Sequence, residues 1–296
     1  MIQQQEVTQQ TVPRPFADTR VSLAKILVPT DFSQTSDRAL EQALSLARTY
    51  NSKIFLAHVI PLDLMMAPEL AEASREKMRR AAREGMQKLR MSGRFFGVPH
   101  DEIIEEGALW PNIEALIKKH EIDLVVLGTH GMGSVGKLLI GSSAEEIFRQ
   151  ARIPVLTVGP RVEREPLYGI ELKNILFATA FGTGAERQAA YAFSLAQQHR
   201  SRLTLLHVEE RPGDEQAISH QLQELVPNAT DLYCLPLFRV ERGNPAEEIL
   251  RVAEETQADL IVLGAKPRKG LAGHVPHTKA YQVVSSASCP VLTIKS

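Results

Sequence analysis

Short apolar runs alternate along the chain with longer segments whose apolar residues follow helical spacing. Several of these runs, such as Leu124-Val125-Val126-Leu127, are apolar at every position. Such runs indicate strands that are buried on both faces, as in a parallel sheet covered by helices. The pattern predicts strands near residues 26–29, 53–59, 102–105, 124–127 and 155–158, and again near 174–178, 203–208, 238–241, 260–263 and 291–294.

The two halves of the chain resemble each other. An offset of 149 residues pairs Phe32 with Phe181, and further along an offset of 136 pairs Gly128 with Gly264. The second copy therefore lacks 13 residues, the difference between the two offsets, in its middle part. Self-similarity at a steady offset is the sequence signature of a repeat architecture.

Each copy is expected to be an α/β domain, a five-stranded parallel sheet with helices on both faces and right-handed crossovers. We predict a flexible tail over residues 1–21, a first domain over 22–160, a linker over 161–170 and a second domain over 171–296. The apolar fifth strands of the two copies present edges that favour pairing with each other inside the chain.

Composition and charge narrow the classes of partner. Of the 296 residues 44% are hydrophobic and 23% charged, with a formal net charge of −1, a balance that favours neither nucleic acid nor an anionic membrane. No window approaches the roughly 18 apolar residues of a membrane span, and the polar N-terminus lacks the apolar core of a signal peptide. The two cysteines, Cys234 and Cys289, are far apart in sequence and do not have the spacing of a disulfide framework or a metal site. This cysteine usage is typical of proteins in a reducing, cytoplasmic compartment.

A glycine-rich stretch, GTHGMGSVGKLLIGSS, runs from Gly128 to Ser143 directly after the predicted fourth strand. The residues that follow, from Ser142 to Ile147, have the pattern of a helix start. Free N–H groups at a helix N-terminus attract anions, and glycines let a ligand approach the main chain without a Cβ in the way. This order of strand, glycine loop and helix predicts a phosphate-binding site.

Two familiar phosphate motifs fit this stretch incompletely. Residues 131–136 spell G-x-G-x-x-G, but the dinucleotide fingerprint follows the first strand and is followed by an acidic residue about 20 positions later. That region here is the apolar strand at 154–158. Residues 131–137 spell G-x-x-x-x-G-K, yet Leu138 stands where a P-loop needs a hydroxyl for Mg²⁺.

A third spacing fits completely, with Gly128, two residues, Gly131, nine residues, Gly141 and then Ser142. With this motif the sequence resembles the universal stress protein family, whose ATP-binding members carry G-x2-G-x9-G-[ST] after the fourth strand. The resemblance extends over two tandem domains and is supported by three further matches, Pro29-Thr30-Asp31-Phe32-Ser33, His58-Val59 and Ile153-Pro154-Val155. It implies a Rossmann-like fold similar to that of the adenine-nucleotide alpha hydrolases.

The resemblance implies ATP as the ligand of the first copy. Asp31 would lie near the ribose or a divalent metal such as Mg²⁺, Val59 would contact adenine through its backbone, and Gly128 would leave room for the ribose. For Lys137, a phosphate contact and simple solvation both remain open. The implied nucleotide-binding set is Pro29, Thr30, Asp31, Val59, Gly128, Gly131, Gly141, Ser142 and Ser143.

The second copy departs from the motif at its decisive positions. Ala180 replaces the aspartate, Pro267 and His277 replace two glycines, and Thr278 replaces the serine. Proline removes a backbone donor, and histidine adds a ring where phosphate would lie. We therefore expect the second copy not to bind ATP in the family manner, but to serve packing, dimerisation or regulation.

The histidines of the two copies are not expected to form a metal site. A metal site built from His274, His277 and Cys289 is disfavoured because the spacing matches no known ligand set. His58 and His207, which end equivalent strands, are expected to be hydrogen-bonded structural histidines.

The favoured function is an ATP-binding regulator of the stress response, with adenine nucleotide as its partner and with no catalytic residue assigned. One alternative is a slow ATPase that uses Asp31 and a divalent metal, and another is a nucleotide-free interaction scaffold. No Ser-His-Asp arrangement, HExxH motif or pair of carboxylates points to other chemistry. A homodimer of the tandem chain is left open.

Overall fold

The computed structural model describes residues 21, 23–61, 68–129, 140–162, 171–211, 213–227, 232–265 and 278–295, which contain ten strands and eight helices. The first copy comprises β1 (Lys25–Pro29), α1 (Gln34–Tyr50), β2 (Lys53–Ile60), α2 (Pro68–Met91), β3 (His100–Glu106), α3 (Leu109–His120), β4 (Leu124–Gly128), α4 (Ser142–Gln150) and β5 (Val155–Val158). The second comprises β6 (Asn174–Ala178), α5 (Ala185–His199), β7 (Arg202–Glu209), α6 (Glu215–Glu224), β8 (Leu237–Arg242), α7 (Pro245–Glu255), β9 (Leu260–Ala265), α8 (Lys279–Ser286) and β10 (Val291–Lys295).

All ten strands join one sheet in the order β3-β2-β1-β4-β5-β10-β9-β6-β7-β8. Neighbouring strands within each copy are parallel, while β5 and β10 pair antiparallel, with Leu156 opposite Leu292. This confirms the prediction that the fifth strands pair. Two buried hydroxyls reinforce the junction symmetrically, since Thr157 Oγ1 donates to the Val291 carbonyl (3.0 Å) and Thr293 Oγ1 to the Val155 carbonyl (3.2 Å).

Both faces of the central part of the sheet are buried, which explains why its inner strands are apolar runs, whereas the edge strands β3 and β8 are only partly buried and carry charged residues. In β1, Ile26 and Val28 belong to one apolar cluster, whereas Leu27 between them belongs to the cluster on the opposite face. Side chains of a strand alternate between faces, so a strand covered on both sides by helices must be apolar at successive positions. Among the described helices, none is both long and apolar enough to cross a membrane.

The repeat is visible in details outside the strands. The Asp123 carboxylate accepts a hydrogen bond from the Lys25 backbone N–H (2.9 Å), and the equivalent Asp259 accepts one from Lys173 N–H (2.8 Å). The residues that the second copy lacks in its middle part are accounted for by a shorter helix, since α2 has 24 residues and its counterpart α6 has 10. The two copies thus share one framework and differ mainly in one crossover.

Val21, the last residue of the predicted tail, lies in the packed part of the chain, one residue before the predicted start of the first domain. It is 7% exposed, and its N–H donates to Ser194 Oγ in α5 (2.8 Å). Nearby, Tyr50 at the end of α1 contacts its repeat equivalent, because its hydroxyl lies 2.7 Å from His199 Nε2 at the end of α5. The copies therefore also meet at the amino edge of the sheet.

A buried lysine links the end of α4 to the second copy. Lys295, at the end of β10, is 7% exposed, and its Nζ donates to the Arg149 carbonyl oxygen (2.6 Å). Burial, together with the positive charges of Arg149 and Arg152, lowers the pKa of Lys295 to about 8. The ammonium is thus held at a helix C-terminus, where the helix dipole favours a cation.

Replacing Lys295 by methionine is expected to change how stability depends on pH. Below pH 8 both the folded and the unfolded chain carry the charge, and the folded chain bears the cost of burying it. Between pH 8 and about 10.5 the unfolded chain holds a proton that the folded chain has released, so stability rises with pH. Relative to Lys295→Met, the wild-type free energy of unfolding should rise by about 2 kcal/mol between pH 7 and 10.

Urea denaturation at a series of pH values measures this difference. Lys118→Met, on the exposed side of α3, is the control for loss of an ammonium in solvent. A constant difference between wild type and Lys295→Met across the series would contradict the assignment of Lys295 as a buried, weakly basic amine.

Candidate functional site

The residues of the predicted nucleotide site gather at the carboxyl edge of the first copy. Pro29, Thr30 and Asp31 lie at or just after the end of β1, Val59 lies near the end of β2, and Gly128 ends β4. These strands are neighbours, and the strand order reverses between β1 and β4, the position where open α/β sheets bind ligands. Because α4 connects β4 with β5, its N-terminus at Gly141, Ser142 and Ser143 lies at the same edge. Gly131 and Lys137 lie outside the described residues.

The turn after β1 exposes a carboxylate. Asp31 is exposed, and its Oδ1 accepts a hydrogen bond from the Ser33 N–H (3.0 Å). Burial alone would raise the pKa of Asp31, but hydrogen bonds from Ser33 and Ser36 outweigh that effect and hold the pKa below its usual value. The edge therefore carries an ionised carboxylate at neutral pH.

Phe32 supports this turn in a conformation that bulky residues rarely adopt. Its φ is 62°, in the left-handed region, which is strained for a residue of this size. Its ring packs against His58 with the centroids 4.6 Å apart, and His58 Nδ1 donates to the Thr30 carbonyl oxygen (2.8 Å). The ring contact and the hydrogen bond together hold the strained backbone.

The second copy builds the same turn without the carboxylate. Phe181 has a φ of 53°, its ring lies 4.6 Å from that of His207, and His207 Nδ1 donates to the Thr179 carbonyl oxygen (2.9 Å). Both histidines are hydrogen-bonded, as the sequence predicted. Both copies therefore share the conformation of this turn. Because Ala180 follows the strand here in place of Asp31, only the turn of the first copy carries a carboxylate.

Gly128 has a packing role that the sequence did not reveal. A Cβ at this position would overlap the backbone carbonyl of Thr35 in the first turn of α1. The absence of a side chain therefore lets α1 approach the end of β4. Its expected role beside a ribose stays a prediction.

The helix starts at the two sites differ in how they are capped. Gly141 is the N-cap of α4 and has no side chain of its own to accept a hydrogen bond, and Ser142 and Ser143 are exposed. In the second copy, Thr278 caps α8 with its own hydroxyl, which accepts from the Tyr281 N–H (3.2 Å). The first N–H groups of a helix have no partner within the helix. Thr278 satisfies one of these donors in α8, whereas Gly141 supplies no such acceptor to α4.

A cavity of about 410 Å³ lies at the matching edge of the second copy. Its lining includes Thr179, His207, Val208, Gly264 and Lys279. The Lys279 ammonium, at the start of α8, forms an ion pair with Glu210 (2.5 Å), so this cation already has an acidic partner. The second copy therefore has a cavity, but the side chains at the start of α8 differ from those at the start of α4, where phosphate is expected in the first copy.

Glu209 was missed by the sequence reasoning. This buried carboxylate, 6% exposed, lines the same cavity and accepts from Arg242 Nε (3.3 Å). The offset of 149 aligns Glu209 with the apolar Ile60. This difference between the two copies, an acidic residue in place of an apolar one, is the sequence feature that could have identified Glu209. The second cavity therefore contains a buried carboxylate at a position where the first copy has an apolar side chain.

No group of three or more histidine, cysteine or carboxylate side chains is placed to hold a metal within the part of the chain that the structure describes. Asp31 therefore stands alone as a metal-ligand candidate among these residues. His274 and His277, two members of the disfavoured metal site in the second copy, lie outside them.

Comparisons with known proteins agree with the fold. A model of the universal stress protein family matches residues 23–159 and 237–295. A universal stress protein of Mycolicibacterium smegmatis is 28% identical over 292 residues, covering 91% of this chain and 96% of that protein. Universal stress protein MJ0531 of Methanocaldococcus jannaschii is 30% identical over 138 residues, covering 45% and 81%. The crystal structure of a universal stress protein from Archaeoglobus fulgidus superposes with a TM-score of 0.74 at 21% identity, covering 92% of this chain and 98% of that one.

Proposed function

The chain belongs to the universal stress protein family, and from this we propose that its first copy binds ATP and acts as a nucleotide-dependent regulator of the stress response. The observation that carries the proposal is the N-terminus of α4, whose N-cap is the glycine Gly141 and which lies at the same edge of the sheet as the ionised Asp31. One feature supplies donors for phosphates and the other an acceptor for a ribose or a metal. In the second copy, Ala180 replaces the carboxylate and the equivalent helix begins at the capping residue Thr278.

The start of α4 is suited to phosphate groups. Its first-turn N–H groups would donate to phosphate oxygens, and the helix dipole favours their negative charge. The exposed Ser142 hydroxyl adds a further donor. Gly141 has φ −60° and ψ 149°, and its lack of a side chain lets phosphate approach the main chain.

Asp31 is suited to the other end of the ligand. Its hydrogen bond from Ser33 fixes the carboxylate in the turn, where it would accept from a ribose hydroxyl or contribute one oxygen to Mg²⁺. Mg²⁺ in proteins is commonly held by one or two carboxylates together with substrate phosphates and water. A bound Mg²⁺ would neutralise phosphate charge, and Asp31 is the residue that would orient it.

Binding is favoured over catalysis by the surroundings of Asp31. It is an exposed carboxylate whose pKa is held low, and a general base works best when its pKa lies near the operating pH. We therefore assign the first copy a binding role with at most slow hydrolysis. Turnover above about 1 s⁻¹ that Asp31→Ala abolishes would instead support the ATPase.

The proposal places the protein in the cytoplasm, where thiols such as those of Cys234 and Cys289 persist. Because β5 and β10 pair within one chain, a homodimer would have to use another surface.

Mass analysis of the small molecules released by denaturing freshly purified protein tests the proposal. An adenine nucleotide is expected, together with binding of added ATP to the stripped protein. Purified protein that carries no nucleotide and takes up none from solution would support the scaffold alternative.

A further inference from the structure

A tyrosine of the second copy contacts the backbone at the end of the glycine stretch in the first. The Ile140 N–H, one residue before Gly141, donates to the Tyr281 hydroxyl oxygen over 3.1 Å. Both residues are buried, with Tyr281 6% and Ile140 4% exposed. A buried N–H that loses its acceptor is costly, so this contact fixes where the chain enters α4.

Tyr281 is itself held firmly. It lies in the first turn of α8, where its own N–H donates to the Thr278 cap (3.2 Å). Its ring belongs to the apolar cluster that also contains Ile140, Ile147 and Val284. Thr278, the surviving hydroxyl of the degenerate motif, therefore orders the helix turn that presents Tyr281 to the first copy.

The far end of α4 is also held by the second copy. Lys295 Nζ donates to the carbonyl oxygen of Arg149 (2.6 Å), in the last turn of α4. One side chain of the second copy thus binds the backbone just before α4, and another binds the backbone near its end. The helix proposed to hold phosphate is positioned by groups outside its own domain.

The first copy has no tyrosine at the sequence position equivalent to Tyr281. The offset of 136 places Glu145 of the first copy opposite Tyr281. Glu145 instead lies 3.8 Å from Arg149 within α4. The support therefore runs from the second copy to the site in the first.

We propose that Tyr281 is a positioning residue for the nucleotide site of the first copy, and that the second copy serves to hold the phosphate-binding end of α4 in place. This rests on the proposed function, because it concerns the same site. Linkage between the two contacts is reciprocal. ATP bound to the first copy will therefore strengthen the hydrogen bond between Ile140 and Tyr281, so that the second copy responds to nucleotide.

Tyr281→Phe removes the hydroxyl and keeps the ring. We expect ATP affinity of the full chain to fall about tenfold, and the Ile140 amide to exchange its hydrogen about tenfold faster in nucleotide-free protein, since one buried hydrogen bond is lost. Thr278→Val removes the cap behind Tyr281 and should change both quantities in the same direction by a smaller factor.

Tyr50→Phe is the matched control. It also removes a hydroxyl that contacts the other copy, 2.7 Å from His199 Nε2, but at the opposite edge of the sheet. It should lower thermal stability about as much as Tyr281→Phe while leaving ATP affinity and Ile140 exchange unchanged. A purely structural role of Tyr281 would make the two variants alike in ATP affinity.

The two measurements separate the inference from the function on which it rests. If wild-type protein binds ATP and Tyr281→Phe binds it equally well, the positioning role is wrong while the proposed function stands. If wild-type protein does not bind ATP, the proposed function fails, and the inference about its nucleotide site fails with it. Unchanged Ile140 exchange in Tyr281→Phe overturns the positioning role whatever the ATP result.

Discussion

Gly128→Ala is expected to lower the free energy of unfolding by about 3 kcal/mol, the upper end for overpacking a buried site. The added Cβ would overlap the Thr35 carbonyl, and this oxygen belongs to the backbone of α1, which cannot rotate away. Relief requires α1 to shift from the end of β4, and α1 carries buried side chains along its length. Urea denaturation of wild type and variant gives the difference directly.

Gly264→Ala is the matched control in the second copy. Its Cβ would meet the side-chain amide of Gln188 instead of a backbone group. A side chain can change rotamer, so the expected loss is about 1 kcal/mol. Equal losses at the two glycines would contradict the distinction between a rigid and a movable neighbour.

Gly141→Glu is expected to weaken ATP binding roughly 100-fold, because two like charges a few ångströms apart near a protein surface repel by several kcal/mol. The glutamate would stand at the N-cap of α4, where phosphate oxygens are proposed to lie. The fold should tolerate it, since Gly141 has φ −60°, and an acidic group near a helix N-terminus is stabilising. Isothermal titration with ATP measures the affinity, and thermal unfolding confirms that the variant is folded.

Gln150→Glu provides the control for charge. It places the same negative charge on the same helix, at its exposed C-terminal end, away from the proposed phosphates. Its ATP affinity should stay within about twofold of wild type. Comparable loss of affinity in both variants would show that charge on α4 acts nonspecifically.

The fold could be predicted from the sequence because its signals are local or repeated. Apolar runs buried on both faces gave strand positions that agree with β1 through β10 to within about two residues. The two offsets predicted a second copy with the strand order of the first, and the apolar edges at β5 and β10 predicted their pairing.

The side-chain contacts between the copies could not be predicted from the sequence. The pairing of Tyr281 with Ile140 and of Lys295 with Arg149 depends on the antiparallel register of β5 and β10 and on where each helix lies above it. No local pattern reports that register. Such contacts link residues more than 140 positions apart and are visible only in three dimensions.

Within the site, the sequence predicted residue types better than their surroundings. It identified Asp31 by motif, but the left-handed backbone of Phe32 has no sequence signal, because an aromatic residue is unusual there. It predicted that Gly128 leaves room for a ribose, but it gave no sign that a Cβ there would overlap the carbonyl of Thr35. It assigned no role to Glu209, whose burial depends on its partner Arg242 in a neighbouring strand.

The central claim is that the chain has one ATP site, in the first copy, although a cavity of about 410 Å³ exists in the second. Equilibrium dialysis of stripped, full-length protein against labelled ATP tests it most directly. At an ATP concentration about ten times the wild-type Kd, the account predicts close to one ATP bound per chain for wild type and about a tenth of that for Gly141→Glu. Two ATP per chain, or one that persists undiminished in Gly141→Glu, would contradict it.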